Sequence, residues 1–279
     1  MDGNNDRSVG NIMNNPKTEE SILEIRNLSV ARSGVKVVEN VSIDVKRGEF
    51  VGLVGPNGGG KTSLLLTIVG VLKPQSGEIL VFGNRPANNK NLGMVGWVPQ
   101  AAANIPKHIH ITVRELVGLG TLNHKNYLGK MSTYQKRRVE ETIQMVGLSG
   151  VENVDVSKLS GGQLQRAVIA RALASEADFL LLDEPLVGVD RDSRNSLLKL
   201  LDNLCHDFDK TIMMVSHDLT AITQTTHRII YLEGVVQFDG PTEFLPDLNE
   251  LASIRGIEHV HSNTHVVPEW VKSPERESP

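Results

Sequence analysis

The 279-residue sequence predicts an α/β domain built on a parallel sheet and interrupted by a helical insert. Three observations predict it. The runs "FLLL" (179–182) and "TIMMV" (211–215) are continuously apolar, as strands covered on both faces must be. Between them Leu197, Leu198, Leu201, Leu204, Cys205 and Phe208 fall on one helical stripe, the pattern of a crossover helix that places Cys205 in the core. The middle of the chain, by contrast, carries helical periodicity alone.

Taken in order, residues 1–20 are polar and Asn-rich and are expected to be a disordered tail. Strand patterns follow in "ILEIRNLSV", "VSIDV", "FVGLVG" and "EILVFG", broken by Gly, Asn and Lys-Arg-Gly. The run "SLLLTIVGVL" (63–72) reads as a helix directly after a glycine-rich loop. Residues 101–175 hold "TVRELVGLGTL", "YQKRRVEETIQMVGL" and "LQRAVIARALA", all of helical period, and form the insert. Strand patterns return in "FLLLDEP", "TIMMVSH", "RIIYL" and "VVQFDG". The expected organisation is thus a discontinuous α/β core, 21–100 with 176–245, a helical subdomain at 101–175, and a flexible C-terminal tail at 246–279.

Composition narrows the class. Hydrophobic residues make up 39% and charged residues 22%, an ordinary globular balance. A net charge of −4 argues against a generally basic nucleic-acid surface. The single cysteine rules out an intramolecular disulfide and fits a reducing compartment. No apolar run approaches the ~18 residues of a membrane span, and the N-terminus has no signal-peptide core. A cytoplasmic chain is expected, with any membrane role exercised through a partner.

The stretch "GPNGGGKTS" comprises Gly55, Pro56, Asn57, Gly58, Gly59, Gly60, Lys61, Thr62 and Ser63 and matches G-x-x-x-x-G-K-[ST]. Glycines let successive backbone N–H groups converge on phosphate oxygens with no side chain intervening. Lys61 supplies a point charge for the β/γ-phosphates, and Thr62 a hydroxyl for Mg²⁺. Nucleotide binding follows, with Mg²⁺ as its expected companion.

"FLLLDEP" ends a buried strand with adjacent carboxylates. Consecutive strand residues point in opposite directions, so Asp183 and Glu184 are expected to serve different roles, one toward Mg²⁺ and one toward the attacking water. His217 closes "MMVSH" at a strand's carboxyl end, where open α/β sheets bind ligands, and is read as a γ-phosphate contact. A second glycine-bearing stretch, "LSGGQ", precedes a helix, which raises the question of why a chain with one phosphate loop needs another. On its own it is also what an N-capped helix start requires.

Together these residues resemble the ATPase subunit of ABC transporters, over about residues 22–245. The resemblance implies a RecA-like P-loop core sheet with an antiparallel β subdomain and an inserted α-helical subdomain. It makes the phosphate loop a Walker A motif and "FLLLDEP" a Walker B motif. Gln100 in "GWVPQ" is similar to the Q-loop glutamine and joins Thr62 and Asp183 around Mg²⁺. Ser160, Gly161, Gly162 and Gln163 are similar to the signature, Asp190 to the D-loop aspartate, and Glu184 and His217 to the catalytic glutamate and switch histidine. In such proteins two copies pack head to tail, so this chain's signature would cover ATP held by the second copy's Walker A. Where the family usually has an aromatic against adenine, "LSVARSGVKVVENVS" puts Arg32.

The segment "VPQAAANIPKHIHITVRELVGLG" resembles the permease-facing stretch of zinc and manganese importers. It implies membrane-spanning permease subunits and a substrate-binding protein as partners, and a position on the inner face of the cell membrane. Importers of iron-siderophores and cobalamin share "TVREL", and soluble iron–sulfur assembly ATPases match in size. His108 and His110 are read as interface residues. His259, His261 and His265 in the tail are read as an incidental cluster more than a metal site.

Overall fold

The computed structural model describes residues 20–100, 105, 109–122 and 130–246. The expectations for residues 1–19 and 247–279, and for His108, fall outside these. The chain divides into two units, Met1–Phe244 and Leu245–Pro279, and the described elements belong to the first.

Two sheets build that unit. β1 (Ser21–Arg32), β2 (Val35–Lys46) and β4 (Ser76–Val81) form an antiparallel sheet of order β2-β1-β4. The second sheet has order β5-β6-β7-β3-β8-β9, from β3 (Phe50–Val54), β5 (Val95–Val98), β6 (Phe179–Asp183), β7 (Thr211–Val215), β8 (Arg228–Glu233) and β9 (Val235–Pro241). Its ladders are parallel except at the edge, where β9 returns antiparallel to β8. Every residue of β3, β6 and β7 is buried, which is why their sequences do not alternate. Ile25, Val30 and Ile43 of the antiparallel sheet share one apolar core with Val51, Leu53, Leu181 and Met213 of the parallel one.

Strand β5 has no strand signature in the sequence because Gly96 divides a four-residue run. The glycine is a packing requirement: a Cβ there would lie 2.8 Å from Leu180 Cδ2 and 3.1 Å from the Ala172 carbonyl oxygen.

The helices are α1 (Lys61–Ile68), α2 (Val113–Leu119), α3 (Thr133–Met145), α4 (Gly161–Ala174), α5 (Arg191–His206) and α6 (Leu219–Thr225). The three that fall within 101–175 each begin with a reciprocal capping box: Thr112 with Glu115, Ser132 with Gln135, and Ser160 with Gln163. The apolar stripe of α5 buries Leu197, Leu198, Leu201, Leu204 and Cys205, but the helix stops at His206. Phe208 therefore leaves the stripe and is exposed, contrary to the periodic reading.

Helices α2 and α4 approach closely at Gly120. A Cβ at this position would lie 1.9 Å from the Arg171 carbonyl oxygen and 3.1 Å from Ala174 Cβ. Since the obstacle is backbone, no rotamer change relieves it. Gly120→Ala is expected to lower stability by roughly 1–3 kcal/mol through overpacking. A urea midpoint equal to the parent's would refute this reading of the α2–α4 contact.

Candidate functional site

Parallel pairing brings the carboxyl ends of β3, β6 and β7 to one edge of the sheet. Val54, Asp183 and Val215 end their strands there, and Leu53 and Asp183 both sit opposite Val215. A cavity of about 350 Å³ opens at this edge. It is lined by Arg32 and Val37, by Asn57, Gly58, Gly60, Lys61, Thr62 and Ser63, and by Gln100, Asp183, Glu184, Val215 and His217.

The loop between β3 and α1 supplies the floor. Its glycines divide the work between ligand and scaffold. Gly58 has nothing within 4 Å of a would-be Cβ, whereas Cβ atoms on Gly55 and Gly59 would strike the Leu232 carbonyl at 2.0 and 2.8 Å. The loop is clamped from behind by Gly234, whose N–H donates to the Gly59 carbonyl (3.0 Å) and whose carbonyl accepts from Glu39 N–H (2.7 Å). At Gly60, φ is 95° and no side chain caps α1. The first N–H groups of this helix are thus without a capping side chain at the cavity, the arrangement that suits an anion.

Lys61 is buried and folds back on its own loop, with Nζ donating to the carbonyls of Gly55 (2.9 Å) and Pro56 (2.8 Å). Burial lowers its pKa, and the nearby Glu184 and Asp183 carboxylates partly oppose that. Thr62 Oγ1 donates to Asp183 Oδ2 at 3.1 Å, tying the first turn of α1 to the end of β6. Asp183 is buried, and desolvation raises its pKa against the opposing influence of Thr62 and Lys61.

Alternation along a strand does not describe the acidic pair. β6 ends at Asp183, and Glu184 takes a left-handed backbone conformation, φ 54°, with its N–H donating to the Val215 carbonyl at 3.0 Å. The turn brings both carboxylates to the same cavity instead of opposite faces. Their surroundings still differ: Asp183 meets Thr62, whereas Glu184 Oε2 lies 2.8 Å from His217 Nδ1.

The signature residues and Asp190 do not line this cavity. Ser160 Oγ accepts from Gln163 N–H at 3.2 Å, and Gln163 Oε1 accepts from Ser160 N–H at 3.0 Å. Asp190 caps α5 by accepting from Ser193 N–H at 3.0 Å, and that bond lowers the pKa of its carboxyl. The two helix starts interlock, since a Cβ on Gly162 would lie 2.4 Å from Ser193 Cβ and one on Gly161 2.7 Å from the Gly188 carbonyl oxygen. Gly161 and Gly162 are small for the sake of this chain's own α4–α5 packing. Ser193, Gly234, Val37 and Val215 escaped the sequence reading because none carries a chemical signature; only packing reveals them. His110 is exposed and pairs with Asp155 at 3.1 Å.

Residues 38–187, more than half of the chain, match the family model described as ABC transporter. The chain belongs to the ABC transporter family. It is an ATPase of that family. The ABC chain is 35% identical over 219 residues to the zinc uptake system ATP-binding protein of Listeria innocua, covering 78% of this chain and 85% of that one. It is 33% identical over 213 residues to the high-affinity zinc uptake system ATP-binding protein of Bacillus subtilis, covering 76% and 91%. A dimeric, post-hydrolysis ATP-binding cassette bound to ADP and Pi superposes with a TM-score of 0.66 at 30% identity, covering 79% of this chain and 98% of that one.

Because burial raises the pKa of Asp183, the folded chain holds that proton more tightly than the unfolded chain does. Its ionised form therefore costs stability, and the cost sets in as pH rises from the unfolded value through the folded one. Asp183→Asn, which keeps an acceptor for Thr62, should raise the nucleotide-free thermal midpoint at pH 7 while ATP turnover collapses. A lowered midpoint would show that the charge stabilises the empty site.

Proposed function

We propose that this ABC ATPase powers import of a transition-metal cation, zinc foremost, through separate membrane-spanning subunits fed by a substrate-binding protein. The observation that carries the reading is 33–35% identity, along more than three quarters of the chain, to proteins named for zinc uptake. Among the described residues no helix is long and apolar enough to cross a membrane, so a pore would come from partner chains and this subunit would lie on the membrane's inner face. Ile109, Leu119 and Leu122, in and beside α2, are exposed apolar side chains and suit a permease contact, whereas Val113 is fully buried and serves the helical layer's own core.

In the cavity, Gly58, Gly60 and the uncapped start of α1 receive the phosphates, and Lys61 exchanges its bonds to the Gly55 and Pro56 carbonyls for phosphate oxygens. Arg32, at the end of β1, lines the cavity and offers a planar guanidinium for stacking on the base. The Thr62 hydroxyl, the buried Asp183 carboxylate and the Gln100 amide offer the oxygen donors that Mg²⁺ prefers, and Mg²⁺ held there would neutralise charge between the β- and γ-phosphates. Glu184 accepts a proton from the attacking water, and His217 holds that carboxylate in place through its Nδ1. His217 Nε2 remains for the γ-phosphate.

The second glycine stretch would act in trans. Ser160 is exposed at the start of α4, away from its own chain's cavity, so its hydroxyl proton and the Gly161 and Gly162 N–H groups, which the capping box does not engage, are available to ATP on a second copy. Dimer formation by a cassette 30% identical supports this. Gly162 cannot test it cleanly, because any side chain there collides with Ser193. Ser160→Asp can, since aspartate is as good an N-cap as serine and adds only negative charge. Glu184→Gln should slow hydrolysis by roughly 10²–10⁴-fold and give an ATP-dependent dimer in light scattering. Glu184→Gln with Ser160→Asp should bind ATP yet stay monomeric. A dimer that survives in the double variant would place the signature outside the ATP sandwich.

Substrate class is tested in cells. Replacing the parent by the Glu184→Gln chain should abolish energy-dependent uptake of radiolabelled Zn²⁺. Intact zinc uptake together with lost ferric-siderophore uptake would overturn the metal-cation reading in favour of its nearest alternative.

A further inference from the structure

We propose a transition-metal binding site formed by His206 and His227, at the sheet edge opposite the ATP cavity. His206 is the last residue of α5, and His227 immediately precedes β8. Their Nε2 atoms face each other at 3.1 Å, with the rings edge to face, 80° apart. Two nitrogens bound to one tetrahedral Zn²⁺ at about 2.0–2.1 Å stand about 3.3 Å apart, so little movement separates this pair from a shared ion.

The surroundings prepare both rings for that task. His206 Nδ1 lies 3.0 Å from the Asp202 carbonyl oxygen and 3.2 Å from its carboxylate Oδ1. As an N–H donor to either, it presents the Nε2 lone pair outward, the carboxylate–histidine arrangement that orients metal ligands. His227 is fixed through its backbone, its N–H donating to Phe50 and its carbonyl accepting from Thr242, each at 3.0 Å. At 3.1 Å the two Nε2 atoms have room for one shared proton. On metal binding it leaves for His227 Nδ1 or for solvent. Both side chains are exposed, and the Asp202 carboxylate beside His206 favours a cation. Among the described residues no third His, Cys, Asp or Glu completes a cluster, so water fills the remaining positions. Imidazole pairs of this kind select Zn²⁺, Cu²⁺ or Ni²⁺ over Mg²⁺.

The site does not depend on which solute the transporter carries, nor does it touch the ATP machinery. An ion there would pin the end of α5 to the start of β8. The test is titration of the full-length purified chain with Zn²⁺ alone against a chromophoric chelator. The same titration is run on His206→Gln, on His227→Gln, on their double variant, and on a chain with His259, His261 and His265 all changed to glutamine. One Zn²⁺ equivalent should weaken at least tenfold in each single variant, fall no further in the double, and persist in the tail variant. Asp202→Asn should weaken it about tenfold, as loss of an orienting carboxylate does. ATP turnover without added metal should match the parent in the glutamine variants, which confirms folding. Unchanged affinity in either single variant, or loss of the equivalent only in the tail variant, would overturn the proposal.

Discussion

One hydrogen bond holds the chemistry together: Thr62 Oγ1 to Asp183 Oδ2, across 121 residues of sequence. It joins the first turn of α1 to the end of β6, the two elements that carry the phosphate loop and the acidic turn. The parallel sheet makes this bond possible, because β7 sits between β3 and β6 and aligns their ends. Glu184 and His217 then follow from the same edge, each one or two residues past its strand. Burial at this edge raises the pKa of Asp183 and lowers that of Lys61, so the protein's own groups do not fully compensate either charge. A polyanion with its metal ion is the natural complement of such a site.

The cavity's stiffness comes from residues that never face it. Gly234, at the turn between β8 and β9, bridges the phosphate loop to β2 through two backbone hydrogen bonds. The Leu232 carbonyl fills the space that side chains on Gly55 and Gly59 would need. Only some of the loop's glycines are therefore shaped for a ligand. The rest let the loop lie flat against the sheet, and the same holds for Gly162 against Ser193. A motif glycine can be required both by the phosphate it approaches and by the backbone behind it. A substitution there reports on both.

Helix starts show how one device serves different ends. Thr112, Ser132 and Ser160 close capping boxes, which satisfy the N-cap and N3 N–H groups within the chain. Helix α1 lacks any such side chain and opens on the cavity. The contrast separates helix starts capped by a side chain from one whose first N–H groups have no such cap at the cavity. Ser160 combines two features: it caps its own helix start and is exposed.

Much of the site was legible from sequence because its chemistry is local. Nine consecutive residues specify a phosphate loop, and unbroken apolar runs specify buried strands, whatever surrounds them. The core strands, the helical insert and the residues Lys61, Thr62, Asp183, Glu184 and His217 all follow from such local patterns. What the sequence could not specify depends on distance in space. The direction of Glu184 was misread because a positive φ after β6, not strand alternation, aims its side chain. Strand β5 was missed because Gly96 answers to Leu180 and Ala172, which lie far along the chain. Phe208 left its stripe because α5 ends two residues earlier. The His206–His227 pair has no motif at all, since a helix end and a strand start meet only when the sheet is assembled. Residue type and short-range spacing determine which chemistry the chain carries; the packing of backbone against backbone decides which of those groups meet.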